Sequence, residues 1–263
     1  GAGDPVVTSD GAYPTFNFHV AGFGGVLRRV PYRDDREDPD ALVAKALETH
    51  AKLIYFANPD NPMGSWHDAA TVSRMVAAVP KGSLLVLDEA YADLAPDGTL
   101  PAIDASDPRV IRLRTFSKGY GLAGLRVGYA VGHPDLIAAF DRVRTQFGLG
   151  RFGQARALAA LADPGGLGRV RTEVATAREA LAAVARANGL RPLPSATNFV
   201  TIDCGADGAF AARVLSELGR RGVFMRMPGV APLDRCIRVT CAPGRQSAIV
   251  AEALPQALAA ARG

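Results

Sequence analysis

Lys52-Leu53-Ile54-Tyr55-Phe56-Ala57-Asn58-Pro59-Asp60-Asn61-Pro62-Met63-Gly64 runs from an apolar stretch into a turn with two prolines. Leu84-Leu85-Val86-Leu87-Asp88-Glu89-Ala90-Tyr91 is a second apolar stretch, and the segment between them, His67 to Val79, has helical periodicity. Short runs rich in β-branched and aromatic residues predict strands over Lys52 to Phe56 and Leu84 to Asp88. Strand, helix-length crossover and strand make the βαβ unit of a parallel sheet.

The same alternation extends outward in both directions. Val6 to Ser9, Val26 to Val30, Val110 to Arg114 and Arg126 to Val131 read as further strands, and Asp40 to His50 as a helix. The expected fold class is therefore α/β, a mixed but mainly parallel sheet flanked by helices. After Gly132 the pattern turns helical over Pro134 to Gln146, Phe152 to Leu161 and Leu167 to Asn188. The run Gly189 to Pro194 then looks like a boundary. Beyond it lie strand Asn198 to Asp203, helix Asp207 to Arg220, strands Val223 to Met227 and Cys236 to Thr240, and a closing helix. The predicted division is a large unit, 1–188, and a smaller C-terminal α+β unit, 189–263.

At 263 residues and 48% hydrophobic, the chain can bury a substantial core. Its net charge of +4 comes from scattered arginines, without the clustered basic footprint that nucleic-acid binding needs. Three cysteines, Cys204, Cys236 and Cys241, form no C-x-x-C pair and argue against a disulfide framework or a zinc site. His19, His50, His67 and His133 lack metal-ligand spacing, so no metal is expected. No apolar run approaches the roughly 20 residues needed to span a bilayer, and no signal peptide is visible. The expected location is the cytoplasm.

In parallel sheets the ligand site lies at the carboxyl ends of the strands. Four motifs fall there or just beyond: Asn58 to Gly64, Asp88-Glu89-Ala90-Tyr91, Thr115-Phe116-Ser117-Lys118, and Gly121-Leu122-Ala123-Gly124-Leu125-Arg126. Lys118 is one of only four lysines in the chain. Its primary amine can condense with an aldehyde, as arginine's delocalised guanidinium does not. Taken singly the motifs have plain readings: a surface lysine, a turn cap at Asp88, a solvated Arg126 at a strand start. Their order along one sheet edge is what makes them specific.

Together they resemble the fold type I pyridoxal-phosphate aminotransferases, and within them the histidinol-phosphate aminotransferase-like group. The family motifs approximated are N-P-x-N-P-x-G, D-E-A-Y, the S-K lysine motif and G-L-A-G-x-R, and the resemblance covers essentially the whole chain from Asp4. It implies that Lys118 holds pyridoxal 5'-phosphate as a Schiff base and later moves the proton between Cα and C4′. Asp88 would face the pyridine nitrogen and keep it protonated. Asn61 and Tyr91 would hydrogen-bond the phenolic O3′. Ser117 and Arg126, helped by Thr115, would hold the phosphate. Tyr13 matches the aromatic that stacks on the ring, with Phe16 as its competitor. In the smaller unit Arg238 matches the clamp for the substrate α-carboxylate, Arg226 a second arginine that reaches a substrate phosphate, and Asn198 a site-lining position. Glu89 is read as structural. The implied reaction carries an amino group from a small-molecule amino donor to a 2-oxo acid acceptor, in a homodimer without nucleic acid or membrane partners.

Three departures qualify this resemblance. Met63 stands where the family turn usually has threonine. Phe147 stands where histidinol-phosphate enzymes often carry a tyrosine for the substrate phosphate, which leaves room for an aromatic amino acid. The family's N-terminal phosphate-gripping segment has no counterpart here, so a chain starting at Gly1 is expected to be a piece of a longer protein and to hold cofactor weakly. Rival readings are a decarboxylase of an amino-acid phosphate and a truncated, non-catalytic domain. A nicotinamide reading of Gly119 to Gly124, which satisfies G-x-G-x-x-G, fails because a strand follows with no room for the crossover helix.

Overall fold

A computed structural model describes residues 1–242 and 244–263. Its larger sheet contains β1 (Pro5–Ser9), β2 (Val26–Val30), β3 (Leu53–Ala57), β4 (Leu84–Asp88), β5 (Val110–Thr115) and β6 (Gly128–Gly132) in the order β2-β1-β3-β4-β5-β6. Adjacent strands run parallel except β5 and β6, which are antiparallel. The expected mixed, mainly parallel sheet is thus present. The segment Gly119 to Gly124 leads through a short turn into antiparallel β6, a geometry without the helical crossover that a dinucleotide site requires.

Helices α1 (Pro14–Gly22), α2 (Pro39–Thr49) and α3 (Ala69–Ala78) connect the first four strands. Local chemistry sets the ends of two of them. Asp38 accepts from the Ala41 amide at 3.1 Å, Pro39 supplies the fixed φ of a first helical residue, and left-handed His50 closes α2. Asp68 caps α3 through the Thr71 amide at 2.7 Å. Both faces of β3 are buried, as parallel sheets demand. Ile54 and Phe56 pack with Leu42, Ala46, Val72 and Met75 on one side, while Tyr55 and Ala57 join Val86 and Ile111 on the other.

Helices α4 (Pro134–Phe140), α5 (Arg151–Leu161) and α6 (Gly166–Ala187) follow. A second, antiparallel sheet comprises β7 (Arg191–Pro192), β8 (Phe199–Asp203) and β9 (Cys236–Thr240), with α7 (Gly208–Arg220) and α8 (Arg245–Arg262). Its core joins Val200, Ile202, Val214, Leu218, Ile237 and Leu254. Helix α6 serves both sheets: Val170 and Val174 pack near Tyr91 and Leu94, whereas Leu181 and Ala185 belong to the core of the second. Among the described residues no helix is long and apolar enough to cross a membrane.

Three expectations need correction, and one helix lies where none was expected. Helix α1 was not anticipated: Val20 is its only buried residue, so its sequence shows no apolar stripe. The helix expected to reach Gln146 ends at Phe140, and Phe147 adopts a left-handed φ of 58°. Arg126 is left-handed too, at φ 54°, and β6 begins at Gly128. Among the described residues the expected strand Val223 to Met227 makes a single bridge, Arg226 to Arg238. Val223 and Met225 are buried and Phe224 is exposed. Burial alone accounts for that alternation, and no ladder is needed.

Candidate active site

The carboxyl ends of β3, β4 and β5 open into a cavity of about 260 Å³. All eight residues expected to hold the cofactor line it: Tyr13, Asn61, Asp88, Tyr91, Thr115, Ser117, Lys118 and Arg126. Asp88, the last residue of β4, accepts from the Tyr55 phenol at 2.6 Å and the Ala90 amide at 2.9 Å. Burial raises its pKa, and the Tyr55 hydrogen bond opposes that shift. Lys118 follows β5 with its Nζ 5.2 Å from the centre of the Tyr91 ring. Partial burial lowers the pKa of its amine, towards the neutral, nucleophilic form.

At one end of the cavity the hydroxyl and guanidinium groups gather. Thr115 Oγ1 donates to Ser117 Oγ at 2.9 Å, and Arg126 Nη1 reaches Ser117 Oγ at 3.5 Å and the Ala123 carbonyl at 2.7 Å. The left-handed turn at Arg126 folds its side chain back over Ser117. Near the Asn58–Gly64 turn, Asn61 Nδ2 donates to the Tyr91 hydroxyl at 3.4 Å. Burial pushes the Tyr91 phenol well up. Tyr13, 44% exposed, borders the cavity, whereas Phe16 stacks on Tyr55 at 4.4 Å inside the core. Placement thus favours Tyr13 over its competitor.

A second cavity, of about 380 Å³, shares Tyr13 and Asn61 with the first. Arg226 and Arg238 line it together with Arg29, against an apolar wall that includes Phe18 and Met227. Arg238 Nη1 hydrogen-bonds Asn61 Oδ1, and its guanidinium lies 4.8 Å from the Phe199 ring centre. Asn198 is the expected site residue that reaches neither lining. It is half-buried, and its carbonyl accepts from the Cys241 amide at 2.8 Å. Glu89 is buried and turned away from the cavity, onto Arg112 at 2.5 Å and Arg114 at 2.9 Å.

Tyr55 is a cavity-lining residue that the sequence did not single out. It sits mid-strand among apolar neighbours, where a tyrosine reads as core. The signal was there in the pairing: Tyr55 and Ala57 share a face of β3, and Ala57 pairs with Asp88. Among the described residues no cluster of three or more metal-ligating side chains occurs. The donor set suits a flat aldehyde-bearing ring with a phosphate tail. It offers an amine, a buried carboxylate and a hydroxyl–guanidinium cluster around one cavity.

The family model described as "Aminotransferase class I and II" matches residues 1–255. A histidinol-phosphate aminotransferase from Moorella thermoacetica is 34% identical over 261 residues, 98% of this chain and 67% of that protein. An aromatic amino acid aminotransferase from Mycobacterium avium is 36% identical over 251 residues, 91% of this chain and 70% of its own. The crystal structure of histidinol-phosphate aminotransferase from Sinorhizobium meliloti in complex with pyridoxal-5'-phosphate superposes with a TM-score of 0.95 at 52% identity, covering 98% of this chain and 71% of that one. The chain belongs to the class I and II aminotransferases, pyridoxal-phosphate-dependent enzymes of fold type I.

Proposed function

We propose that this chain is the cofactor- and substrate-binding part of a homodimeric aminotransferase acting on an amino acid or amino-alkyl phosphate, of histidinol-phosphate or aromatic type, with a 2-oxo acid as acceptor. The observation that carries this reading is the convergence of Lys118, Asp88 and Arg126 on one cavity. When bound, pyridoxal phosphate supplies an electron sink for the negative charge left on the substrate Cα. Lys118 would hold the cofactor through its amine, and the same side chain would serve as the base that moves a proton at the substrate Cα. Asp88 would keep the ring nitrogen protonated, with Tyr55 orienting that carboxylate. Asn61 and Tyr91 would hydrogen-bond the phenolic oxygen, Tyr13 would cover the ring, and Thr115, Ser117 and Arg126 would hold the phosphate.

Arg238 grips the substrate carboxylate, for which a guanidinium offers two parallel donors. Arg226 and Arg29 in the same cavity favour a substrate with a second anionic group. Relatives named histidinol-phosphate aminotransferases support that choice, and the aromatic enzyme supports the alternative side chain. The division into units 1–188 and 189–263 belongs to the same reading. So does a cytoplasmic location, which suits three free thiols. The test is a panel of histidinol phosphate and aromatic amino acids with 2-oxoglutarate as acceptor. Formation of the new amino acid and its matching carbonyl product is expected, and exclusive release of CO₂ would overturn the proposal.

A further inference from the structure

Two buried carboxyl groups lie behind the Asn58–Gly64 turn, outside both cavities. Glu37 and Asp60 are each 1% exposed, and their carboxyl groups are close enough neighbours for each to act on the titration of the other. Asp60 also accepts from the Tyr32 phenol at 2.9 Å and the Met63 amide at 3.2 Å. Glu37 accepts from the Ser9 hydroxyl at 2.8 Å and the Ala57 amide at 3.3 Å. Among the described residues no salt bridge reaches either carboxyl.

Two ionised carboxylates have no proton to place between them, and a buried like-charge pair without a counter-ion is costly. One shared proton converts the repulsion into a charge-assisted hydrogen bond. We infer that Glu37 and Asp60 share one proton at neutral pH and act as a positioning pair for Asn61 and, through it, Arg238. The positioning role rests on the reading of the site given above; the shared proton does not.

The connections run in a short chain. The pair ties the end of β1 at Ser9, the end of β3 at Ala57 and the segment after β2 at Tyr32 to a single turn. Asn61, next in sequence to Asp60, touches both the Tyr91 hydroxyl and Arg238. The phenols of Tyr32, Tyr55 and Tyr91, the Arg238 guanidinium and the His67 ring, which meets the Glu37 carbonyl at 2.8 Å, are the titratable and charged groups around the pair. Burial raises Asp60 to about 6 and Glu37 well above the usual carboxylate range. Both shifts favour the protonated form in the folded state. The stability they confer is complete below the ordinary carboxyl range and is lost as pH rises through the raised values.

Infrared spectroscopy of the folded protein without cofactor reads the proton directly. At pH 7 the wild type should show the carbonyl stretch of a protonated carboxyl, and raising the pH should remove it well above the ordinary carboxylate range. Glu37→Gln and Asp60→Asn, each supplying its own amide donor to the remaining carboxylate, should both abolish the band. A wild type without the band, or a band that survives both substitutions, would overturn the shared proton. Should either variant fail to fold, the wild-type titration decides alone. For the positioning role, Asp60→Ala is expected to raise KM for the amino donor about tenfold while kcat changes little, with Asp60→Asn restoring most of it. An unchanged KM in Asp60→Ala would overturn that role. Because the infrared measurement uses no cofactor, failure of Lys118 to engage one leaves its result standing.

Discussion

The phenol of Tyr55 and the carboxylate of Asp88 show how one hydrogen bond tunes the cavity. The bond opposes the upward pull of burial, which still leaves the Asp88 pKa above its ordinary value. Removing it in Tyr55→Phe should raise the Asp88 pKa further, so the acidic limb of the activity profile moves to higher pH; an unmoved limb would separate Tyr55 from the chemistry. Lys118 presents the opposite sign. Its folded-state pKa is lowered by burial, so the cofactor-free protein opposes an ammonium there at neutral pH. Lys118→Met should therefore raise the melting temperature at pH 7, with the gain shrinking as pH rises towards the amine's ordinary range. Residues with motif context, Lys118, Asp88 and Asn61, were legible in the sequence. Tyr55 and the Glu37–Asp60 pair were not, because they gain their meaning from partners 33 and 23 residues away that only the sheet brings together.

Behind the carboxyl ends of β4 and β5, the buried Glu89 binds both Arg112 and Arg114 and fixes one strand against the next. Arg112 is 4% exposed and also donates to the carbonyls of Pro101 and Ala102. Glu89→Ala leaves that guanidinium without its anion, at an expected cost of about 3–5 kcal/mol in urea unfolding. A loss below about 1 kcal/mol would mean that the carbonyls alone satisfy Arg112. Helix α7 offers a milder case: Asp207 accepts from the Phe210 amide at 2.8 Å, and Asp207→Ala should cost about 1 kcal/mol. Elements with a strong period or cap, such as α2, α7 and β4, could be read from sequence. Helix α1 could not, since a helix with one buried residue has no stripe to read. The Val223–Met227 run misled for the converse reason, having a strand's alternation without a strand's partner.

On the scale of the whole molecule, an alternating charge cluster joins the second sheet to the segment after β2. Arg235 holds both oxygens of Asp35, at 2.8 and 2.9 Å, and reaches Asp203 at 3.0 Å, while Arg191 meets Asp203 at 2.7 Å. Burial alone would raise Asp203, but the Gly205 amide and the two guanidinium groups hold it below the usual range. Such a depressed carboxyl contributes stability above its ordinary pKa that is lost as pH falls through the lower, folded value. Arg235→Ala should accordingly destabilise the protein more at pH 7 than at acid pH, as read by urea unfolding at each; an equal loss at both would contradict the charge argument. The mixed, mainly parallel sheet followed from periodicity, whereas this junction rests on contacts across 200 residues of sequence that no local pattern announces.

The central claim is that Lys118 is the amine that binds pyridoxal phosphate. Borohydride reduction of the protein at saturating cofactor, followed by digestion and peptide mass spectrometry, tests it directly. The expected result is a reduced cofactor adduct on the peptide carrying Lys118, absent from Lys118→Ala. An adduct on Lys45, Lys52 or Lys81 with Lys118 unmodified, or no adduct at all, would contradict it.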